Sequence, residues 1–373
     1  MTVLAFQPRI AKYREKLWPE VKNVLDQKGI DFRLYVSRNG DPRQTGDAID
    51  SQVAEVGPKF RTFRGLRVHL TGLRELARSL GSNHVFAEFA LRNLDVFLLS
   101  LLPRGTRPSI ALMGHSPQFI EGNRVVQLLR NLFLRRADWF FAYTPQECDR
   151  LELCGFPAER ITVVNNTVDT DGLRESLDRV TEEDLCHFVN SRSLTPGKTG
   201  LFLGTIDGHK DIDYVLATAR HLWLADPEFR VLIAGSGRDL SRVEQISDAR
   251  PEIEILGRVV DSRKALALRA ADIILCPRGI GLVAVDSLVA GVPIASLLGN
   301  KHGPEVDFLD RTTSFFAPSH TSPEGFAQFV LEAVSNPQRL DQMRLAGKTR
   351  ADSLSIQTMS HSVANGISDW VNK

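Results

Sequence analysis

The segment CPRGIGLVAVDSLVAGVPIAS, Cys276 to Ser296, gathers residue types that hold phosphate and sugar. Gly279 and Gly281 flank Ile280, and Asp286 follows five residues after Gly281. The run ADIILC before it is short, apolar and rich in β-branched residues, the pattern of a buried strand. Gly281 to Gly291 reads as a helix stopped by Gly291 and Pro293. The glycines therefore stand where a strand turns into a helix. A helix start carries unpaired N–H groups and the positive end of the dipole, and glycine lets a ligand approach the backbone, which makes a phosphate-sized place. Asp286 lies about one and a half turns further in, within reach of a sugar hydroxyl beside that phosphate. A tight strand–helix turn that binds nothing has the same local signature.

Other chemistry-like clusters fail on spacing. PGKTG resembles the end of a phosphate-binding P-loop, but Arg192 occupies the place of its first glycine and no strand precedes it. The triplets DID (211–213) and DTD (169–171) sit where helices should begin, and aspartate there is ordinary capping. A metal needs more oxygen ligands than either triplet offers, so no metal site is expected. Cys148, Cys154, Cys186 and Cys276 lack metal-ligand spacing and read as reduced thiols. His115, in LMGHS, follows a strand end, where ligands of parallel sheets collect; a structural histidine fits there as well.

These residues need a scaffold, and the sequence outlines one. With 373 residues, 43% hydrophobic and 24% charged, the chain is long enough for two globular domains. Net charge is +1, so no global field argues for nucleic acid, and no apolar run reaches the length of a membrane span. The N-terminus reads as a first strand entering a helix rather than a signal peptide. TVLAFQ, IDFRLYV, HVFAEFA, SIALMGH, WFFAYT and ITVVNN read as strands with helical stretches between most of them. After residue 200 the pattern restarts with GLFLGTI, RVLIAGSG, IEILGRV and ADIILCP and their helices. Such alternation argues parallel sheets covered by helices, in two halves. Residues 181–199 are polar, lack either period and contain Pro-Gly, which predicts a linker. Ile356, Met359, Val363, Ile367 and Trp370 recur at helical spacing, so the tail should dock on something. Charge is uneven. Residues 1–136 hold 22 lysines and arginines against 12 acids, and 59–80 has one acid, Glu75, among six basic residues. Such a basic face suits an anionic membrane, a phosphorylated acceptor or plain solvent.

Taken in order, FQPRIAKYREKLW, GHSPQFIEGN, RRADWFFAYT, ITVVNNTVDTD, LFLGTIDGHKDIDYVL, VLIAGSG, GIGLVAVDSLVAGVP and KHGPEVDFL resemble one family across most of the chain, the retaining glycosyltransferases of family 4. The resemblance implies an α/β GT-B fold. Two Rossmann-like domains would face a central cleft, with a C-terminal helix crossing back to the first. The domains would then be residues 1–180 for the acceptor, 181–199 as linker, 200–352 for a nucleotide-sugar, and 353–373 as the returning helix.

The resemblance also assigns roles. Members carry Gly-Arg and then Lys as a clamp on the donor diphosphate. Here Gly204 and Lys210 match and Thr205 replaces the arginine, leaving a point charge without the bidentate fork. Of the two glutamates that members carry eight positions apart, the second is Asp286, for ribose hydroxyls, and the first is Arg278, which would suit phosphate or an acidic sugar. Donor contacts are thus expected from Gly204, Thr205, Lys210, Arg278, Gly279, Ile280, Gly281, Leu282 and Asp286. Acceptor contacts are expected from Arg9, Tyr13, Arg14, Glu88, Arg92 and His115, with His115 and Lys210 catalytic. The implied activity is transfer of a sugar from a UDP- or GDP-sugar to a hydroxyl of a sugar, lipid-linked or small-molecule acceptor, with retention. No tightly bound cofactor or metal, and no nucleic acid, is expected. The expected location is cytoplasmic or peripheral at the inner face of a membrane through residues 59–80. A GT-B sugar-nucleotide epimerase and a non-catalytic sugar-nucleotide-binding relative are the alternatives.

Overall fold

Neighbouring parallel strands must be joined by long crossovers, and this chain makes most of them with helices. A computed structural model describes residues 1–7, 10, 12–36, 54–56, 60–63, 66–69, 81–91, 93–117, 123–299 and 301–373. The strands of the first half are β1 (Thr2–Gln7), β2 (Asp31–Val36), β3 (Ala54–Val56), β4 (Phe60–Phe63), β5 (Leu66–His69), β6 (His84–Glu88), β7 (Ser109–Gly114), β8 (Trp139–Ala142) and β9 (Ile161–Val163). Seven of them form one sheet in the order β3-β2-β1-β6-β7-β8-β9, and every neighbouring pair is parallel. β4 and β5 form a separate antiparallel pair inside the basic stretch 59–80; the rest of that stretch lies outside the described residues.

The two-residue strand period sorts the side chains onto two faces. Val3, Ala5, Phe86, Met113 and Phe141 join one core, with Leu17, Trp18, Val21 and Leu25 from the helix Leu17–Gln27. Leu4, Phe6, Val85, Leu112 and Phe140 join the other, with Phe133, Leu134 and Leu151. The tail forms the helix Ile356–Val371. Its Ile356, Met359, Val363, Ile367 and Trp370 are all buried in the first of those cores. The tail thus docks on the N-terminal sheet, as its spacing and the family resemblance implied.

The second half restarts with β10 (Thr199–Leu203), β11 (Arg230–Ala234), β12 (Ile253–Gly257), β13 (Ile273–Leu275), β14 (Ile294–Leu297) and β15 (Ser314–Ala317). They form a parallel sheet in the order β12-β11-β10-β13-β14-β15. Read in chain order this is 3-2-1-4-5-6, the arrangement of doubly wound dinucleotide-binding sheets.

The chain divides into Met1–Asn166 with Ile356–Lys373, and Thr167–Ser355. This differs from the expected boundaries at 180 and 199. The stretch expected as a linker holds the helix Glu182–Ser191, opened by a reciprocal capping box between Thr181 and Asp184. Its Phe188 and Val189 pack on the core of the second unit, as does Leu173 of the preceding helix Thr170–Arg179. None of the residues of this short helix is fully buried, so the sequence carries little of an apolar stripe there. Of the discarded triplets, Asp169 caps its helix by accepting the Gly172 N–H at 3.1 Å. Asp211 takes the N-cap place in a left-handed conformation without a side-chain bond, and Asp213 pairs with Arg242 at 2.7 Å. Among the described residues no helix is long and apolar enough to cross a membrane.

Candidate functional site

In the second sheet the chain direction of growth reverses between β10 and β13, and doubly wound sheets bind ligands just beyond the strand ends at such a reversal. The loop after β10 carries Gly204, Thr205 and Lys210; the loop after β13 carries Arg278 to Leu282. One bond ties them: the Lys210 ammonium donates to the Gly279 carbonyl at 2.6 Å. Both glycines make room for that crossing. Gly204 has φ +153°, and a β-carbon there would stand 3.0 Å from the Lys210 Cε. Gly279 has φ +71°, and a β-carbon would stand 3.0 Å from the His209 carbonyl. The Asp207 carboxylate accepts the His209 N–H at 2.9 Å, an Asx turn that aims the following Lys210. Thr205 is exposed at the same loop.

The glycine-rich turn leans on the segment Lys301–Gly303. Gly279 donates to the Lys301 carbonyl at 3.0 Å, and Gly303 donates to the Ile280 carbonyl. The Ile280 N–H donates to His302 Nδ1 at 3.3 Å, while His302 Nε2 bonds the Leu297 carbonyl at 2.9 Å. Only the neutral imidazole with its proton on Nε2 satisfies both bonds. Burial pushes the His302 pKa below the ordinary histidine value; the charges of Lys210 and Arg278 push it the same way, against the pull of the Leu297 carbonyl. The expected donors Gly279 and Ile280 thus commit their N–H groups to the loop's own shape. Ala284 and Val285 donate to the Gly281 and Leu282 carbonyls, so the backbone donors at the start of the helix Val283–Ala290 are the N–H groups that precede them, from Gly281 to Val283. Among the described residues the buried Arg278 Nε has no hydrogen-bond partner. Lys210, Arg278 and the helix start therefore form a positive neighbourhood suited to an anion.

Asp286 is buried inside that helix, and its Oδ1 accepts from the Lys264 ammonium at 2.6 Å. Lys264 comes from the helix Asp261–Ala270 and was not anticipated; a lone lysine on a surface-patterned helix carries no signal in sequence. Glu305 is also buried, and a β-carbon at Gly303 would stand 2.8 Å from its Oε2, so this carboxylate lines the same turn. A concavity of about 500 Å³ opens at the other end of the helix, lined by Arg174, Arg269, Val289 and Lys348 among others. It holds none of the anticipated residues.

In the first unit the reversal falls between β1 and β6. Arg14, just after β1, donates to the Tyr143 hydroxyl at 3.2 Å and to Asn166 Oδ1 at 3.1 Å. Burial works against its charge, but Tyr143, Tyr13 and Glu88 outweigh it and hold the guanidinium more firmly protonated than usual. The His115 ring meets Tyr143 edge-on with centroids 5.0 Å apart. Tyr143 thereby joins Arg14 to His115, while Tyr13 stacks under the Arg14 guanidinium at 5.5 Å. Glu147, fully buried, fixes the two loops: its carboxylate accepts the Ser116 N–H at 2.7 Å and the Tyr143 N–H at 2.9 Å. Arg9 and Arg92 lie outside the described residues. Tyr143, Asn166 and Glu147 were missed, although Tyr143 and Asn166 end strand-like runs where strand-end reasoning would have found them.

Two family models match in succession. One described as Glycosyltransferase Family 4 covers residues 19–172, and one described as Glycosyl transferases group 1 covers 197–336. The chain belongs to glycosyltransferase family 4 and has the GT-B type of fold. Phosphatidyl-myo-inositol mannosyltransferase of Mycolicibacterium smegmatis is 33% identical over 105 residues, 27% of this chain and 27% of the relative. The namesake of Mycobacterium leprae is 28% identical over 153 residues, 40% of this chain and 39% of the relative. The matched parts therefore span well under half of those relatives. Among solved structures, Anabaena Alr3699/HepE in complex with UDP superposes with TM-score 0.69 at 12% identity, covering 98% of this chain and 99% of that one. Sucrose-phosphate synthase from Thermosynechococcus elongatus gives 0.69 at 14% identity, covering 98% of each chain. At such identities this family 4 chain shares their fold.

Proposed function

We propose that the protein transfers a sugar from a nucleoside diphosphate sugar to a hydroxyl acceptor with retention at the anomeric carbon. The observation that carries this is the Lys210–Gly279 bond, which pins a cation across the two strand ends at the sheet reversal, beside Arg278 and a helix start. As the bond from the anomeric carbon to phosphate oxygen breaks, the sugar gains positive charge and the leaving diphosphate gains negative charge. Fixed donors aimed at that diphosphate lower the barrier. Lys210 exchanges its carbonyl partner for a phosphate oxygen; Arg278 takes a second oxygen or an acidic group of the sugar. Asp286, oriented by Lys264, accepts from ribose hydroxyls. The acceptor oxygen bonds the anomeric carbon on the face that the phosphate leaves, and its proton passes to the departing phosphate oxygen. Lys210, Arg278 and the helix start neutralise the diphosphate, so no metal is required. In the first unit, His115, Arg14, Tyr13 and Glu88, with Tyr143, bind the acceptor.

A UDP-sugar is the first donor to try, since HepE was solved with UDP, and GDP-sugars are the second. The mycobacterial relatives, named for transfer to phosphatidyl-myo-inositol, make a lipid-linked polyol a leading acceptor class. The test is a thermal-shift screen of nucleoside diphosphates and their sugars, followed by transfer assays with the best donor. Proton NMR of the product should show the donor's anomeric configuration. Inversion would overturn retention. Donor binding with neither hydrolysis nor transfer would favour a non-catalytic relative, the reading to which Arg278 lends itself.

A further inference from the structure

The helix Arg124–Arg136 has two apolar sides where a surface helix normally has one. Phe133 and Leu134 are fully buried in the sheet's core. On the opposite side Val125, Leu128, Leu129 and Leu132, spaced i, i+3, i+4 and i+7, are 64%, 69%, 36% and 41% exposed. The helix Leu94–Leu101 packs alongside and adds Leu98 and Leu101, also exposed. Six large exposed aliphatic side chains thus stand on two helices that pack together, and exposed apolar surface of this kind marks contact surfaces. The charge around it is mostly positive. The helix Arg124–Arg136 carries four arginines and no acid, and residues 92–136 hold seven arginines against Asp95 and Glu121. Arg124 stands one turn before Leu128 and Arg135 one turn after Leu132, both exposed. The nearby Asp138 does not neutralise this rim, since Arg107 at 2.6 Å and Arg104 at 3.0 Å already hold it. β5, from the basic stretch of the sequence, also packs against the helix Leu94–Leu101.

We propose that this face rests on an anionic lipid surface, with its leucines at the headgroup–acyl boundary and its arginines at the level of the phosphates. A second copy of the chain fits poorly, because it would set one arginine rim against another. The proposal uses neither set of strand ends and stands apart from the sugar-transfer reading. It also moves the expected membrane contact from 59–80 to a neighbouring helix pair.

Sedimentation with vesicles tests it, using phosphatidylcholine alone and an equal mixture of phosphatidylcholine and phosphatidylglycerol. The protein should pellet with the mixture, not with phosphatidylcholine alone, and less as salt rises. Leu128→Ser with Leu132→Ser should lower the partition coefficient by at least about tenfold, with the unfolding temperature unchanged because both side chains are exposed. Arg124→Glu should weaken binding to the mixture through charge alone. No pelleting of the parent protein, or equal pelleting of the leucine variant, would overturn the proposal. A dimer in sedimentation velocity that Leu128→Ser dissociates would do so too, assigning the face to self-association.

Discussion

Single side chains in the second unit are held by partners whose loss can be measured. Lys264 and Asp286 form a mostly buried pair at 2.6 Å. Lys264→Ala leaves the carboxylate without its cation and should cost about 1–3 kcal/mol in denaturant unfolding. Adding Asp286→Asn should recover part of that stability but none of the nucleotide affinity, because the ribose hydroxyls lose their acceptor. Recovery of both would make the pair a brace and nothing more. His302 gives a pH prediction. Its folded pKa is lowered, so as pH falls from about 6.5 the unfolded chain takes up a proton that the folded chain refuses, and stability drops. His302→Gln should shrink the loss of unfolding free energy between neutral and mildly acid pH. An NMR titration of His302 at or above the ordinary histidine value would contradict this. The glycines and Asp286 were legible in sequence because their spacing is local. Lys264 was not, because it meets Asp286 from a distant helix and nothing local marks it; His302 and Glu305 lie in KHGPEVDFL, which carried the resemblance but gave neither residue a role.

At the level of elements, the buried Glu147 fastens the loops after β7 and β8 by two backbone N–H bonds. Those loops carry His115 and Tyr143. Glu147→Gln can accept only one of the bonds well and should cost about 1.5–3 kcal/mol of stability while lowering turnover through displaced His115. His115→Ala, by contrast, should cut turnover with little change in unfolding temperature; a large stability loss with normal turnover would make the histidine structural. Strands were the readable elements. β1, β7, β8, β10 and β11 are continuous apolar runs because both faces of each sheet are covered. The start of the helix Thr170–Arg179 was readable from Asp169 in DTD, whereas Glu182–Ser191 was not read, because none of its residues is fully buried. The clue was Thr181 with Asp184, a capping box written as TEED.

For the molecule as a whole, the last helix belongs to the first unit's core although it is furthest from it in sequence. Trp370 is buried and donates to Ser109 Oγ at 2.9 Å, so Trp370→Ala should lower stability by about 3–5 kcal/mol. Gly366 lets this helix lie against Phe141 and Thr162, where a β-carbon would overlap both. The two-sheet plan and the returning helix could be read from the order of apolar runs. The strand order could not, since pairing between distant strands leaves no mark on either one. That order places the sheet reversal under Gly204, Lys210 and Gly279, and the central claim is that a nucleoside diphosphate binds there. Calorimetric titration of UDP and GDP into the parent protein and Lys210→Ala is the most direct test. The account predicts that one of the two binds the parent, and that Lys210→Ala weakens it by about tenfold or more, the worth of a charge-assisted bond to phosphate. Equal affinity in both proteins would remove Lys210 and the strand ends it bridges from the site.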